Sequence, residues 1–346
     1  MLFKVISKNE FRRFVELVFK HTEIIAPKQV GVSKGGSPIH QYLPVHNFNE
    51  IDLDYETTEY SAKTYFLPYK ENLSTCSFLG TVWDRDIKYR LQPRIILGLH
   101  ACDINALLKL DKVLAGDRYP SPYYISRRKN TFIIGIDHDP CERGFCHAVG
   151  ADVVTHGFDL FLTDLGDRYF VAINSDRGFD ALKQVDIEVP SDRDTNDYLA
   201  VRRRIASKFE SLEMHNLPNL MDIEFKSKVW QKWADKCLSC GSCAMVCPTC
   251  YCYGVEEHIS MDGNESAKIK RLHSCNLLDF ATVAGGHNFR VDRETRLKYR
   301  YYHQHRGFVE TYEEPLCVGC YRCGRVCLAG INPPDIIIDL QTEYME

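Results

Sequence analysis

Two kinds of sequence pattern predict an α/β N-terminal domain with a mostly parallel sheet, followed by a C-terminal domain of ferredoxin-like, α+β or mostly α, architecture with a long insertion. The segments 94–99 and 131–136 are short, continuous apolar runs, as buried strands are, and a helical pattern lies between them at 104–114. Strand, helix and strand at this spacing are typical of a βαβ unit with a parallel sheet. The second pattern is a pair of cysteine runs, at 237–247 and 317–327, spaced as in two-cluster bacterial ferredoxins.

The order of these patterns divides the chain into three parts. We predict an α/β domain at 1–190, a charged helical bridge at 191–228 and a cluster-binding domain at 229–346. The last part contains the insertion, at about 253–315, between the two cysteine runs.

Further elements of the first part follow from periodicity and from turn residues. Residues 7–20 have apolar side chains at helical spacing, and Ser7 with Glu10 forms a capping box at the start. We expect a strand at 23–27, loop and edge strand at 28–60 and a hairpin at 159–173. A further helix is predicted to begin at Tyr69.

Each cysteine run contains three cysteines at intervals of three and a fourth cysteine four residues later. In two-cluster ferredoxins the fourth cysteine of one run ligates the cluster of the other run. The sequence therefore predicts two [4Fe–4S] clusters with crossed ligands, one held by Cys237, Cys240, Cys243 and Cys327 and the other by Cys317, Cys320, Cys323 and Cys247. Zinc sites or disulfides are the alternatives, but a ferredoxin rhythm that occurs twice favours iron–sulfur clusters over both. Leu328 replaces the proline that follows the last cysteine in ferredoxins, a position that supplies no ligand.

Composition excludes several classes of function. The chain has 346 residues, of which 26% are charged, and a net charge of -4, so no basic surface indicates nucleic-acid binding. We find no apolar run of the ~20 residues that cross a bilayer and no secretory signal, so we expect a cytoplasmic location and no membrane span. The 15 cysteines are then reduced thiols that more often bind metal than form disulfides. Dinucleotide and phosphate loops are absent, and no flavin or nucleotide site is expected in this chain.

Three further cysteines follow the two apolar strands of the N-terminal part. Cys102 lies just beyond the first strand, and Cys141 and Cys146 lie just beyond the second. Because the carboxyl ends of parallel strands share one edge of a sheet, we predict a third [4Fe–4S] cluster there. Asp103 is the first choice for its fourth ligand, and His100, His138 and Cys76 are the alternatives. The competing interpretation is that these are loop cysteines without metal.

The remaining thiols Cys250, Cys252 and Cys275 are expected to pack as small apolar residues or to tune a nearby cluster. For the histidines at 287, 303 and 305, we favour a surface or supporting position over ligation.

Several segments resemble a family of soluble dicluster subunits. These segments are Cys247-Pro-Thr-Cys-Tyr-Cys252, His273-Ser-Cys275, Ala284-Gly-Gly-His-Asn-Phe-Arg290, Cys317-Val-Gly-Cys320, Ser61-Ala-Lys63, Ala101-Cys-Asp-Ile-Asn-Ala106 and Tyr123-Tyr-Ile-Ser-Arg-Arg128. The family includes the beta subunits of cytoplasmic sulfhydrogenases, which are NiFe hydrogenases, and the corresponding iron–sulfur subunit of anaerobic sulfite reductase. The resemblance implies an electron relay between a flavin, NAD(P)-binding subunit and a catalytic metalloenzyme subunit. The alternative function is an iron–sulfur enzyme in which an incompletely cysteine-ligated cluster binds substrate.

Overall fold

The computed structural model describes residues 1–18, 22–33, 35–78, 80–87, 89, 92–209, 211–214 and 216–345. In that part of the chain the strands are β1 Leu2–Ser7, β2 Glu23–Val32, β3 Pro38–Val45, β4 Lys70–Phe78, β5 Trp83–Ile87, β6 Arg94–Leu99, β7 Thr131–Ile136, β8 Leu160–Asp164, β9 Arg168–Ile173, β10 Tyr253–Ile259 and β11 Glu265–Leu272. The α-helices are α1 Lys8–Val18, α2 Ala101–Leu114, α3 Pro122–Lys129, α4 Asp176–Leu182, α5 Asp192–Ser207, α6 Leu217–Ile223, α7 Lys228–Lys236, α8 Ser242–Val246, α9 Arg293–Tyr302, α10 Phe308–Tyr312, α11 Arg322–Arg325 and α12 Pro333–Met345.

A seven-stranded sheet forms the centre of the N-terminal half, in the order β1-β9-β8-β7-β6-β2-β3. The four strands β8, β7, β6 and β2 run parallel to their neighbours within this group, whereas β1, β9 and β3 pair antiparallel. The predicted βαβ unit is present, because β6 and β7 are adjacent and parallel and α2 lies between them in the chain. The sheet is therefore mixed, with a parallel centre, rather than mostly parallel.

Alternate side chains of the central strands fill the two faces of this sheet. Ile95 and Leu97 pack with α1 on one face, whereas Ile96 and Ile133 pack with α2 and α3 on the other. Because both faces are covered, every residue of β6 is buried, which explains why its sequence is a continuous apolar run.

Two predictions about local structure need correction. Residues 28–60 contain more strand than expected, because β2 extends to Val32 and forms an edge hairpin with β3. The helix predicted from Tyr69 is wrong, since this segment is strand β4. The strand is held by antiparallel pairing with β11, which lies almost two hundred residues away and leaves no local signal. Helix α1 is present to Val18, and the predicted last two residues lie outside the described part of the chain.

A second sheet, in the order β10-β11-β4-β5, joins the two halves of the chain. Strands β10 and β11 come from the insertion between the cysteine runs, whereas β4 and β5 come from the N-terminal half. The predicted boundaries at 190 and 228 remain a prediction, but the insertion is not confined to the C-terminal part.

The C-terminal helices surround the cysteine runs. Helices α6, α7, α9 and α12 share one hydrophobic core, in which Trp230 is fully buried. The carboxyl ends of β6 and β7 face this part of the molecule, because the backbone N–H of Phe145 donates a hydrogen bond to the carbonyl of Gly319 at 2.8 Å. The edge of the sheet that carries Cys102, Cys141 and Cys146 therefore meets the second cysteine run.

Candidate iron–sulfur centres

The two cysteine runs have the same local backbone conformation. The residue before the second cysteine is left-handed in both runs, with φ of 52° at Ser239 and 66° at Gly319. The residue after that cysteine is also left-handed, with φ of 80° at Gly241 and 57° at Tyr321. For a residue with a side chain this conformation costs roughly 1–2 kcal/mol, and such strain is concentrated at functional sites. The repeated turns let each short loop curve around one centre.

The first run lines a hollow, here called the first hollow, between α7, α8 and the C-terminal run. Its lining includes the four cysteines that were predicted to hold one cluster: Cys237, Cys240, Cys243 and Cys327. Helix α7 ends immediately before Cys237, and α8 carries Cys243. The fourth cysteine comes from the other run, so the structure brings together all the members of this crossed set.

The second hollow lies between the second run and the end of α8. Its lining includes the other predicted set: Cys247, Cys317, Cys320 and Cys323. Phe145, from the loop after β7, also lines it, whereas Cys323 lines both hollows. Helices α8 and α11 pack against each other. This packing carries Cys247, at the end of α8, into the hollow of the opposite run.

The chemistry of these groups fits an iron–sulfur cluster in each hollow. Backbone N–H groups lie 3.4 Å from the Sγ atoms of Cys237 and Cys317 and 3.3 Å from that of Cys327, where they stabilise negative charge on sulfur. Burial raises the pKa of Cys317 to about 12 and that of Cys323 to about 11. Without metal these thiols stay protonated at neutral pH, so iron binding would release their protons.

Arg300 and Tyr301, from α9, line both hollows. Arg300 is only 6% exposed, and among the residues that the structure describes it forms no ion pair with an aspartate or glutamate. Its Nη1 atom lies 3.5 Å from Cys250 Sγ, and its Nη2 atom donates to the carbonyl of Cys243 at 3.4 Å. An unpaired buried cation is costly, and the negative charge of two thiolate-ligated clusters would compensate it.

The three N-terminal cysteines come together at the edge of the large sheet. Cys102 and Cys146 share a thiol hydrogen bond, and both pack with Cys320 in one buried group. The Sγ atom of Cys141 lies 3.6 Å from the carbonyl of Cys320. Burial raises the pKa of Cys141 to about 12. The predicted third set therefore lies directly beside the second run.

Asp103 has a different partner from the iron that the sequence analysis predicted. Both of its carboxylate oxygens accept hydrogen bonds from Arg322, each at 2.8 Å, and the two side chains are almost fully buried. Arg322 also donates to the carbonyl and the hydroxyl of Thr58, each at 3.0 Å. A carboxylate engaged in this way is not positioned as an open ligand, and the pair instead ties α2 to the second cysteine run.

The alternative fourth ligands are also placed by the structure. His100 stacks on His138 with ring centres 3.6 Å apart, and burial lowers the pKa of His138 to about 4. Burial is also the main reason that the pKa of His100 lies well below its ordinary value. Cys76 lies on β4 in the other sheet, opposite Ser266.

The cysteines without a predicted ligand role form close thiol contacts. Cys250 donates a hydrogen bond to Cys247, and this bond, with the Arg300 and Lys63 cations, holds the pKa of Cys247 well below its ordinary value. Cys252 and Cys275 form a second hydrogen-bonded pair. Across the described residues, no three His, Cys, Asp or Glu side chains are grouped closely enough for a single metal ion.

The histidines that were assigned surface or supporting positions differ from one another. His287 is exposed, and His303 accepts or donates a hydrogen bond at 3.2 Å with the Tyr251 hydroxyl. His305 lines the second hollow, and burial lowers its pKa to about 3.

Three buried cations around the cysteines were not identified from the sequence: Lys63, Arg300 and Arg322. Lys63 donates to the carbonyl of Cys250 at 2.9 Å. Their only sequence signal is position, since each lies within or beside a segment rich in cysteine or family motifs.

Comparisons with known proteins agree with this geometry. A family described as 4Fe–4S dicluster domain matches residues 236–331, which include both cysteine runs. The chain is 34% identical over 310 residues to sulfhydrogenase 2 subunit beta of Pyrococcus furiosus, covering 87% of this chain and 89% of that protein. The chain belongs to the sulfhydrogenase beta-subunit family. No solved structure matches it.

Membership of the sulfhydrogenase beta-subunit family confirms the resemblance seen in the motifs. The dicluster match supports iron–sulfur clusters over zinc or disulfides, whereas the number of clusters and the individual ligands remain predictions. In the described part of the chain, no helix is long and apolar enough to cross a membrane.

Proposed function

We propose that this chain is an electron-transfer subunit of a cytoplasmic oxidoreductase complex, with two [4Fe–4S] clusters in the two hollows. One partner is a flavin, NAD(P)-binding subunit, and the other is a catalytic metalloenzyme subunit. The observation that supports this role best is that the two four-cysteine hollows share Cys323, Arg300 and Tyr301 as lining residues. Two redox centres with a common wall are well placed to exchange electrons.

When bound, each cluster supplies a one-electron redox step. The thiolates of the crossed sets hold the iron, and the backbone N–H groups at Cys237, Cys317 and Cys327 stabilise the negative charge on sulfur. Arg300 stabilises added negative charge on either side of it, because its guanidinium is buried among sulfur atoms. The aromatic and aliphatic lining keeps water away from the second hollow.

The third [4Fe–4S] cluster is part of this proposal, with Cys102, Cys141 and Cys146 as three of its ligands. Their position beside Cys320 would put it next to the second cluster and lengthen the relay toward the large sheet. Asp103 was the predicted fourth ligand, but its pairing with Arg322 favours a fourth ligand from outside this set.

Copurification tests the relay role. We expect the chain to be isolated anaerobically in a complex that contains a flavoprotein and a second metalloprotein. Within that complex the clusters should be reduced by NADH or NADPH. A stable monomer that reduces a substrate unaided would contradict the proposal.

Ligand variants test the clusters. Cys247→Ala should remove the cluster of the second run, whereas Cys243→Ala should remove that of the first, because the ligands are crossed. Iron analysis of the anaerobic chain should give about twelve irons for three cubanes, or about eight if the third is absent. Cys141→Ala should lower the content by about four and leave the two C-terminal signals intact. Loss of only the first-run signal in Cys247→Ala would disprove the crossed assignment.

A further inference from the structure

Cys252 and Cys275 form a thiol pair at the open end of the β10–β11 hairpin. The backbone N–H of His273 donates to the carbonyl of Cys252 at 2.9 Å, which continues the ladder beyond Tyr253 and Leu272. A turn from Ser274 to Leu277, closed by a 3.1 Å backbone hydrogen bond, then folds Cys275 back toward the hairpin. The two thiols share a hydrogen bond as a result.

The two thiols of this pair are in unequal surroundings. Cys275 is buried at 4% exposure, whereas Cys252 is half-buried and reachable from outside. The hydrogen bond from Cys275, with the Arg290, Lys63 and Arg300 cations, lowers the pKa of Cys252 to about 7. The same bond and burial raise the pKa of Cys275 above its ordinary value. An accessible thiol with thiolate character beside a protected partner is the arrangement of a nucleophilic and a resolving cysteine.

The pair also lies against the first cysteine run. Asn276, next to Cys275, has its Nδ2 atom 3.3 Å from Cys243 Sγ and lines the first hollow. On the other side of the turn, a Cβ atom on Gly241 would lie only 2.8 Å from that of Ser274. The thiol pair and the first hollow are therefore separated by a single layer of side chains.

We propose that Cys252 and Cys275 form a redox-active dithiol that reduces a disulfide substrate with electrons from the clusters. Cys252 thiolate attacks one substrate sulfur, so a mixed disulfide forms, the substrate S–S bond breaks and the other half leaves as a thiolate. Cys275 loses its proton and attacks the Cys252 sulfur, which releases the second half and forms the Cys252–Cys275 disulfide. Two electrons, delivered one at a time by the clusters, and two protons from solvent restore the dithiol. This step goes beyond the proposed relay and depends on it only for those electrons.

The test uses the full, anaerobically purified chain and DTNB as the disulfide probe. One equivalent of DTNB is added, the sample is quenched in acid, and free thiols are alkylated before peptide mass spectrometry. The wild type should yield a peptide pair joined by a Cys252–Cys275 disulfide. Cys275→Ser should instead retain thionitrobenzoate on Cys252, and Cys252→Ser should leave Cys275 as a free thiol. Cys76→Ser, a half-buried thiol on β4, is the matched control and should leave the Cys252–Cys275 disulfide unchanged.

Iron content and visible absorbance are recorded on the same samples, so a chain that lacks clusters refutes the relay rather than the dithiol. After the disulfide has formed, reduced methyl viologen should restore the dithiol faster in the wild type than in Cys243→Ala, in which the first cluster is lost. Two results would overturn the proposal. One is a wild-type chain with intact clusters in which Cys252 and Cys275 stay free thiols; the other is a loss of bound metal in both Cys252→Ser and Cys275→Ser, which would make the pair metal ligands.

Discussion

Arg322→Met removes one partner of the buried ion pair that joins α2 to the second cysteine run. The side chains of Arg322 and Asp103 are 1% and 2% exposed, so the substitution leaves the carboxylate buried without a counter-charge. Removal of one partner from such a pair costs about 3–5 kcal/mol. The Thr58 carbonyl and hydroxyl also lose their hydrogen bonds from the guanidinium. We therefore expect the melting temperature to fall on the order of 5–10 °C.

Asp103→Asn decides whether this cost arises from the uncompensated charge. In the double variant Asp103→Asn/Arg322→Met the buried charge is gone, so the double variant should be more stable than Arg322→Met alone. The single variant Asp103→Asn should also keep the full iron content, since its carboxylate is committed to arginine. A selective loss of about four irons from a stably folded Asp103→Asn chain would instead establish Asp103 as a ligand.

The assay is thermal unfolding of the cluster-loaded chain under anaerobic conditions, followed by circular dichroism. Arg325→Met is the matched control on the same helix. Its guanidinium pairs with Glu56 at 3.1 Å, but the two side chains are 37% and 45% exposed, so the loss should be about 0–1 kcal/mol. Equal melting temperatures for Arg322→Met and Arg325→Met, or no recovery in the double variant, would refute the reasoning.

Two other substitutions test the surroundings of the clusters. Arg300→Gln should move the midpoint potentials of both C-terminal clusters to more negative values, because a buried cation that stabilises an added electron is lost; a redox titration followed by EPR measures this. Arg193→Gln, at a side chain that is 90% exposed, should leave both potentials unchanged, and equal potentials in the two variants would contradict the role of Arg300. Gly319→Ala should destabilise the second run, because the new Cβ would lie 2.5 Å from the Phe145 carbonyl. Gly330→Ala has almost the same φ, 68° against 66°, but open space, so similar melting temperatures would disprove the clash.

The sequence by itself determined the parts of the molecule that depend on short spacing. Cysteines three residues apart can follow one tight loop around a centre, so Cys237, Cys240 and Cys243 are grouped whatever the rest of the chain does. The same holds for the apolar strands β6 and β7, since a strand buried on both faces must be apolar along its whole length. Family membership was also readable, because the motifs are local.

Only the tertiary structure decided which distant residues meet. Strand β4 has no clear period of its own and forms because β11 pairs with it from the insertion. Arg322 takes the Asp103 carboxylate from 219 positions away, and Arg300 enters the wall between the hollows, although both read as surface charges in the sequence. A buried charge is stable only where partners from other segments compensate it, and that compensation is a property of packing rather than of neighbouring residues in the chain.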